Sequence, residues 1–452
     1  MASGTDNAIA KYLNERNPRY TSYPTAPHFS ASIGPAAYRD WLAALPGSDR
    51  LSLYLHVPFC KTLCWYCGCN TSVTRHREPI ERYVDLLEQE IRLVAGLAGS
   101  RRVAHIHWGG GTPTIVGPGL FCRLMVLLRT RFDVEPGAEM AVEVDPRRLD
   151  VAMARALRQA GITRASLGVQ TFNPVAQRAV AREQSLEVTR RCVDLLRGAG
   201  IEAINVDLLY GLPYETAASC EASVAAALTL APSRFSVFGY AHVPAVMKHQ
   251  RVIDVATLPN ADERLRQEQA IGDRLVAAGY MRIGLDHYAR PGDALAQARM
   301  DGRLRRNFQG YTDDPADALI GFGASAIGQS AGGYVQNVSD IKGWRERIEA
   351  GELATARGLA LTPDDGLRGE IIERLMCDLR ADVPAVLRRR GFPLDYLDVA
   401  LAAVQPLVAD GLARVDRGVI TVPEAMRALV RRVASAFDGY LDPAAGRHAV
   451  AV

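Results

Sequence analysis

The chain lacks a long hydrophobic run: among its 452 residues no apolar stretch is long enough to cross a bilayer. It also lacks a dominant charge. Lys and Arg number 53 against 50 Asp and Glu, a formal net charge of +3, too mild to imply a nucleic-acid partner. The opening residues Met1-Ala-Ser-Gly-Thr-Asp-Asn-Ala-Ile-Ala-Lys11 contain no basic segment followed by an apolar one, so no secretory leader is expected. These absences predict a cytoplasmic protein that engages neither membrane nor nucleic acid. Cysteine is scarce, eight in all, and an intracellular chain keeps its thiols reduced, which argues against disulfides. What remains is ordinary for a globular chain, 48% hydrophobic and 23% charged. The length suffices for two or three domains around a large core.

Half of the cysteines stand together. The strand-like run Leu51-Ser-Leu-Tyr-Leu-His-Val-Pro-Phe59 leads into Cys60, Cys64 and Cys67, spaced CxxxCxxC, with Cys69 two residues on. Three thiolates can hold three corners of a cubic iron–sulfur cluster and leave one iron open to a small molecule, whereas a sealed electron-transfer cluster takes four protein ligands. The competing reading is a structural zinc site with Cys69 or His76 as fourth ligand. Zinc ligands more often come as two separated pairs, and no second pair follows here. The other four cysteines, Cys122, Cys192, Cys220 and Cys377, fall in helix-like apolar patterns and read as small buried hydrophobes.

From Leu51 to Ala241 the chain alternates between two periods. Short runs rich in Val, Ile and Leu predict buried strands at Leu51–Val57, Val103–Trp108, Met140–Val144, Arg164–Val169, Ile204–Leu209 and Phe235–Tyr240. Between them lie helical patterns such as Pro79–Leu97, Ser185–Leu196 and Ala217–Leu230. Gly161, Gly198 and Gly200 sit near helix ends, where a left-handed cap is favoured. Six strand–helix repeats with right-handed crossovers curl a parallel sheet toward a barrel, whose chemistry gathers at the carboxyl ends of the strands. The cysteines, Gly109–Thr112, Glu143 to Pro146, Gln170, Asp207 and Ala241-His242 all fall at that end. The tail changes character. Leu361–Leu379, Pro393–Asp410 and Glu424–Phe437 read as helices, and 411–422 as a hairpin turning near Asp416-Arg-Gly418. That pattern suggests a winged-helix-like domain in a packing or lid role, since the fold alone does not establish DNA binding.

Gly109-Gly-Gly111-Thr112 lets the backbone approach a ligand closely. It lacks the Gly-Lys-Ser/Thr ending of a phosphate-binding loop, and beside an open cluster it suits a ligand bearing an amine and a carboxylate. With Cys60, Cys64 and Cys67 it resembles the radical S-adenosylmethionine enzymes. Narrower features resemble one family among them, the bacterial oxygen-independent coproporphyrinogen III oxidases (dehydrogenases). These are Arg19-Tyr-Thr-Ser-Tyr-Pro-Thr25, Cys67-Gly-Cys69-Asn70, Val169-Gln-Thr-Phe172, Asp207-Leu-Leu-Tyr-Gly-Leu-Pro213 and Asn307-Phe-Gln-Gly-Tyr311. The resemblance runs from about Pro18 to Tyr440. Two departures stand at Gly239, where the family often has asparagine, and at Tyr66, where phenylalanine is common.

The resemblance implies an α/β fold, a partial, six-repeat βα barrel, with an N-terminal extension at its mouth (1–48), the barrel (49–290), a connecting region (291–360) and a mainly helical C-terminal domain (361–452). It implies a [4Fe-4S] cluster on Cys60, Cys64 and Cys67 and two S-adenosyl-L-methionine molecules. Tyr54, Gly110, Glu143 and Ile327 would surround the first. Tyr66, Cys67, Gly68, Gly111, Thr112, Gln170, Arg182, Asp207 and Ala241 would hold the second. The implied reaction uses a 5′-deoxyadenosyl radical to convert two propionates of coproporphyrinogen III to vinyl groups, giving protoporphyrinogen IX in heme biosynthesis. A flavodoxin or ferredoxin would donate electrons, and the chain would act as a monomer. Cys69 is left to contact substrate or support its loop. Four substrate carboxylates call for cations, with Arg19, Arg290, Arg303, Arg305 and Arg306 as candidates. The alternatives are a related radical enzyme acting on heme and a heme chaperone on the same fold. Such chaperones typically lack the fourth cysteine and the Tyr20–Thr25 segment, and this chain has both.

Overall fold

The computed structural model describes residues 11, 12, 15 and 17–441. The opening read for a leader therefore lies outside the described residues but for Lys11. Six parallel strands follow one another in sequence order: β1 (Arg50–Val57), β2 (Arg102–Gly110), β3 (Asp133–Val144), β4 (Arg164–Gln170), β5 (Ala203–Tyr210) and β6 (Arg234–Gly239). Helices alternate with them: α1 (Glu78–Ala98), α2 (Pro118–Arg131), α3 (Val151–Gln159), α4 (Leu186–Gly198) and α5 (Ala217–Leu228). Asp150, Ser185 and Thr216 each accept a backbone N–H of the following first turn, which explains where α3, α4 and α5 begin. Gly161 and Gly200 have φ near +90° after α3 and α4, as expected of left-handed caps, whereas Gly198 lies inside α4.

Leu51, Leu53, Leu55 and Val57 are wholly buried, because β1 is covered on both faces as a central parallel strand is. It has a parallel neighbour on each side. Beyond β2, the other is Ala318–Phe322, a seventh parallel strand with no counterpart among the six repeats. An antiparallel meander through Ile327–Ser330, Gly333–Asn337 and Thr355–Ala360 extends that edge, and two short strands extend the other beyond β6. The result is a curved twelve-stranded sheet, a partial barrel. Strand β3 begins seven residues before its apolar run. Its polar first half is held by pairing of Arg102 with Asp133 and by the Arg50–Glu135 ion pair at 2.6 Å, neither of which has a periodic signal.

The tail is mainly helical, with α6 (Pro363–Asp378), α7 (Val383–Arg390) and α8 (Asp398–Ala409). The hairpin pairs Arg414–Asp416 with Val419–Thr421 and recruits Arg380–Asp382 as a third strand. The stretch expected as one helix, Glu424–Phe437, is 3₁₀ over Glu424–Leu429, α over Val430–Ala434 and 3₁₀ again to Phe437. It is buried at nine of its fourteen positions, Arg427 and Arg431 included, so its surroundings rather than one apolar face set its path. The N-terminal segment runs beneath it. Tyr20 donates to Asp438 at 3.0 Å and the Gly439 N–H to Tyr23 at 2.8 Å.

Candidate active site

The cysteine loop is tied to the glycine-rich edge of β2 by backbone. Gly111 N–H reaches Val57 O at 2.9 Å, and Thr112 N–H reaches Phe59 O at 2.8 Å. A Cβ at Gly111 would lie 2.6 Å from Phe59 O and 2.5 Å from Thr71 Oγ1, so only glycine permits this approach. The other side of the loop packs on the segment after β6. His249 donates to Cys67 O at 2.7 Å, and buried Gln250 donates to Tyr66 O at 3.1 Å and Ala241 O at 3.2 Å. Trp65 N–H is held by Val180 O.

Each sulfur of the motif has donors aimed at it. Thr71 and Thr112 hydroxyls lie 3.4 Å from Cys60 Sγ. Arg182 Nη1 and Arg147 Nη2 lie 3.5 and 3.8 Å from Cys64 Sγ. Cys69 N–H lies 3.4 Å from Cys67 Sγ. The Cys69 thiol, lying against Cys67, draws the latter down to about 6 and is itself held well above its ordinary value by that pairing. Burial pushes the Cys60 thiol up. Thiolates are the ligand form, and donors around the sulfurs are what an iron–sulfur cluster requires. Among the described residues no three His, Cys, Asp or Glu side chains converge as the ligands of one metal ion, which the zinc reading needs. The residues present fit a cluster that spreads its three cysteines over three irons.

A second group adjoins the cysteines. Glu143 accepts Gly110 N–H at 3.1 Å and faces His107 Nε2 at 3.4 Å. Tyr54 donates to His56 Nδ1 at 3.0 Å, while His56 Nε2–H is spent on Asn70 O at 2.9 Å. Burial lowers the His56 pKa, so the ring is neutral. A Cβ at Gly109 would meet Glu143 and Tyr54 under 3 Å, and Gly110 has φ +112°. Ile327 packs beside Gly321, the residue in register with Tyr54 on the seventh parallel strand. Gln170 closes β4 with φ +70°, a conformation costly for a non-glycine residue and held by its surroundings.

Asp207 accepts from Ser166 at 2.9 Å and Asn205 at 2.7 Å, and burial, with Glu143 nearby, pushes it up to about 6. Arg182 donates to Gly168 O and lies 3.7 Å from Asp145. Burial alone would lower its pKa, but Tyr66, Asp145 and Cys64 hold it above the ordinary value. Its Nε is buried and unpaired among the described residues. An orphaned guanidinium N–H beside the cysteines suits a ligand carboxylate.

Gly68, Cys69 and Ala241 also line a cavity of about 780 Å³ that opens beyond β5 and β6. Arg19 and Arg306 line it too, as expected for carboxylate partners. Arg290, Arg303 and Arg305 do not. Arg303 pairs with Asp301 at 2.8 Å, Arg305 approaches Glu373 at 4.0 Å, and Arg290 reaches Tyr280. The structure adds Arg264 and Arg431 to the lining and Arg147 to the cysteines. Arg147 stood in legible view, two residues beyond Asp145 at a strand end. Arg264 and Arg431 carried no motif.

Residues 54–227 match the model of the radical SAM superfamily. An oxygen-independent coproporphyrinogen III oxidase of Bradyrhizobium diazoefficiens is 52% identical over 442 residues, covering 98% of both chains. That of Paracoccus denitrificans is 44% identical, covering 97% of both. A solved structure of coproporphyrinogen III oxidase from Escherichia coli, described as a radical SAM enzyme, is 41% identical with a TM-score of 0.91, covering 96% of this chain and 99% of that one.

Proposed function

The chain belongs to the oxygen-independent coproporphyrinogen III oxidase family of radical S-adenosylmethionine enzymes, and from that premise we propose how its site is filled and used. It is an oxidoreductase that converts two propionates of coproporphyrinogen III to vinyl groups without oxygen, each losing carbon dioxide, one hydrogen atom and one electron. Cys60, Cys64 and Cys67 would hold the [4Fe-4S] cluster. When bound, the cluster and S-adenosylmethionine supply the radical that takes the hydrogen atom.

The chain's own residues orient and shield. Arg147 and Arg182 spread positive charge over the Cys64 sulfur, which favours electron uptake there. Tyr54, Gly110, Glu143 and Ile327 would take the first S-adenosylmethionine, with Glu143 accepting from its amine. Tyr66, Gly68, Gly111, Thr112, Gln170, Arg182, Asp207 and Ala241, with the Cys67 backbone, would take the second. Arg182 would pair with its carboxylate and Asp207 accept from ribose hydroxyls. Supporting this division, Tyr54, Glu143 and Gly110 touch one another at one end, while Gly68 and Ala241 border the cavity. Cys69 lines the cavity and supports Cys67. A flavodoxin or ferredoxin would donate the electrons. The chain would act as a monomer in the cytoplasm; no helix among the described residues is long and apolar enough to cross a membrane.

The carrying observation is that all three motif sulfurs, each with its donors, stand at the strand ends beside a cavity of substrate size. The test is an anaerobic assay of the reconstituted chain with S-adenosylmethionine, a strong reductant and coproporphyrinogen III, read by mass spectrometry. Loss of two carboxyl groups with formation of 5′-deoxyadenosine, both abolished by Cys64→Ala, is expected. Deoxyadenosine without decarboxylation would overturn the substrate.

A further inference from the structure

The cavity beside the cysteines has an unusual wall. Four arginines line it, Arg19, Arg264, Arg306 and Arg431, against two carboxylates, Asp286 and Glu268. They come from four distant parts of the chain: the N-terminal segment, the helix Ala261–Ala277, the hairpin strand Arg305–Asn307 and the helix Val430–Ala434. Three of them meet at one place. Arg306 Nη2 donates to Arg19 O at 3.4 Å, and Arg431 Nη1 to Asn17 O at 3.4 Å. Converging guanidinium groups in a low-dielectric wall repel one another.

Each is also seated with care. Arg306, 4% exposed, lies flat over the Tyr311 ring at 4.3 Å with Asp286 at 3.7 Å. Arg264 lies over Tyr210 at 5.4 Å. Its seat exists because two flanking positions lack a side chain. A Cβ at Gly211 would lie 2.0 Å from Arg264 Nη1, and one at Gly239 would lie 3.0 Å from Nη2. Gly239 also offers its carbonyl to Arg19 at 3.1 Å. Burial and the neighbouring Arg19 charge lower the Arg264 pKa, and burial lowers that of Arg431 to about 10, with Arg19 and Arg306 adding repulsion. The volume, about 780 Å³, falls in the upper part of the roughly 300–1,000 Å³ range of small-molecule sites.

We propose that Arg19, Arg264, Arg306 and Arg431 bind the carboxylates of the tetrapyrrole, and that Gly211 fixes where Arg264 meets it. This rests on the coproporphyrinogen reading, and deepens it by naming the residues that choose an acidic side-chain pattern. Arg306 and Arg431 act from buried positions and set affinity. Arg19, exposed at the rim, acts mainly on capture.

The experiment uses the reconstituted full chain under anaerobic conditions. Binding of coproporphyrin III and of its tetramethyl ester is followed by fluorescence in the unchanged chain and in Arg264→Met, Arg306→Met, Arg431→Met and the corresponding lysine variants. The unchanged chain should prefer the acid by at least about 100-fold. Each methionine change should weaken the acid by about 10- to 100-fold, the range of a charge-assisted hydrogen bond, and leave the ester nearly unchanged. Lysine should recover part of the loss, since it keeps charge without the fork. Gly211→Ala, whose Cβ would fall on Arg264, should weaken the acid in the chain that has Arg264 and have no further effect in Arg264→Met. An acid-to-ester preference below about tenfold in the unchanged chain overturns the proposal even if no variant folds. So does a full preference retained in all three methionine variants. Turnover of coproporphyrinogen III by the unchanged chain is measured separately, so a failure of the activity is distinguished from a failure of the arginines.

Discussion

Cys64 shows how a single side chain is tuned by neighbours outside its motif. Arg147 Nη2 lies 3.8 Å from its sulfur and is itself gripped by Asp145 through Nε at 2.9 Å and Nη2 at 2.8 Å. Removing that guanidinium takes positive charge from beside a sulfur proposed to hold the cluster, which makes an electron harder to add. Arg147→Met should therefore lower the cluster's reduction potential by roughly 60 mV, the one-electron equivalent of a charged hydrogen bond of about 1.5 kcal/mol. Potentiometric titration followed by electron paramagnetic resonance measures it; an unchanged potential removes Arg147 from the electronic environment. The motif cysteines themselves were legible in the sequence because their spacing is local. Gly109–Thr112 were legible because close approach demands glycine. Arg264 and Arg431 were not, because an arginine on a helix has the same local pattern whether it faces solvent or a cavity. Only the packing of distant segments distinguishes them, just as it separates Arg306, over Tyr311, from its neighbour Arg305.

At the scale of elements, α1 is pinned to the seventh parallel strand by one buried acid. Glu90, 2% exposed, accepts from Gly323 N–H at 2.6 Å, Asn337 Nδ2 at 2.7 Å and Trp344 Nε1 at 3.2 Å. Tyr83, one helical row away, bridges Ala324 N–H and His56 O. These contacts hold the turn between Tyr54's neighbouring strand and Ile327. Burial pushes the Glu90 carboxyl up to about 7 despite its three donors. The fold thus favours the protonated form relative to the unfolded chain. The associated stability is full below the unfolded value near 4.5 and is lost as pH rises through about 7, in total roughly 3 kcal/mol. The thermal midpoint should fall between pH 5 and pH 8, and Glu90→Gln should remove that part of the slope. Glutamine should also lower the midpoint at pH 5, since its NH₂ faces donors. An identical slope in both proteins would place the titration elsewhere. The elements in this clamp illustrate what periodicity reveals. The six repeats announced themselves by alternating periods, because each strand is buried on both faces. Ala318–Phe322 is equally buried but follows a stretch of short strands and turns, so its pairing with β1 was a non-local fact. The polar start of β3 and the broken helix at 424–437 escaped for the same reason.

At the scale of the molecule, the first and last described segments, 17–25 and 428–441, meet at the cavity. Asn17–Thr25 runs under the C-terminal segment, with Tyr20 on Asp438, Tyr23 on Gly439 and Asn17 on Arg431. It places Arg19 at the rim and receives Arg306 from the hairpin. The tail read from sequence as packing or lid therefore forms part of the cavity wall, where Ala428 and Arg431 line it. This arrangement separates two functions. The cysteines, Tyr54 and Glu143 belong to the barrel and its first loops, whereas the far wall is built where segments 17–25 and 428–441 meet. Loosening the clasp should harm tetrapyrrole binding and spare S-adenosylmethionine cleavage. Tyr20→Phe removes the hydroxyl that reaches Asp438 at 3.0 Å and leaves that carboxylate short of a donor, a loss of about 1–2 kcal/mol. The expected outcome is a KM for coproporphyrinogen III raised several-fold, faster proteolysis within residues 17–29, and an unaltered rate of 5′-deoxyadenosine formation without tetrapyrrole. A lowered melting temperature with an unchanged KM would show that the clasp serves stability alone. A fall in deoxyadenosine formation would show that these segments reach the barrel chemistry directly.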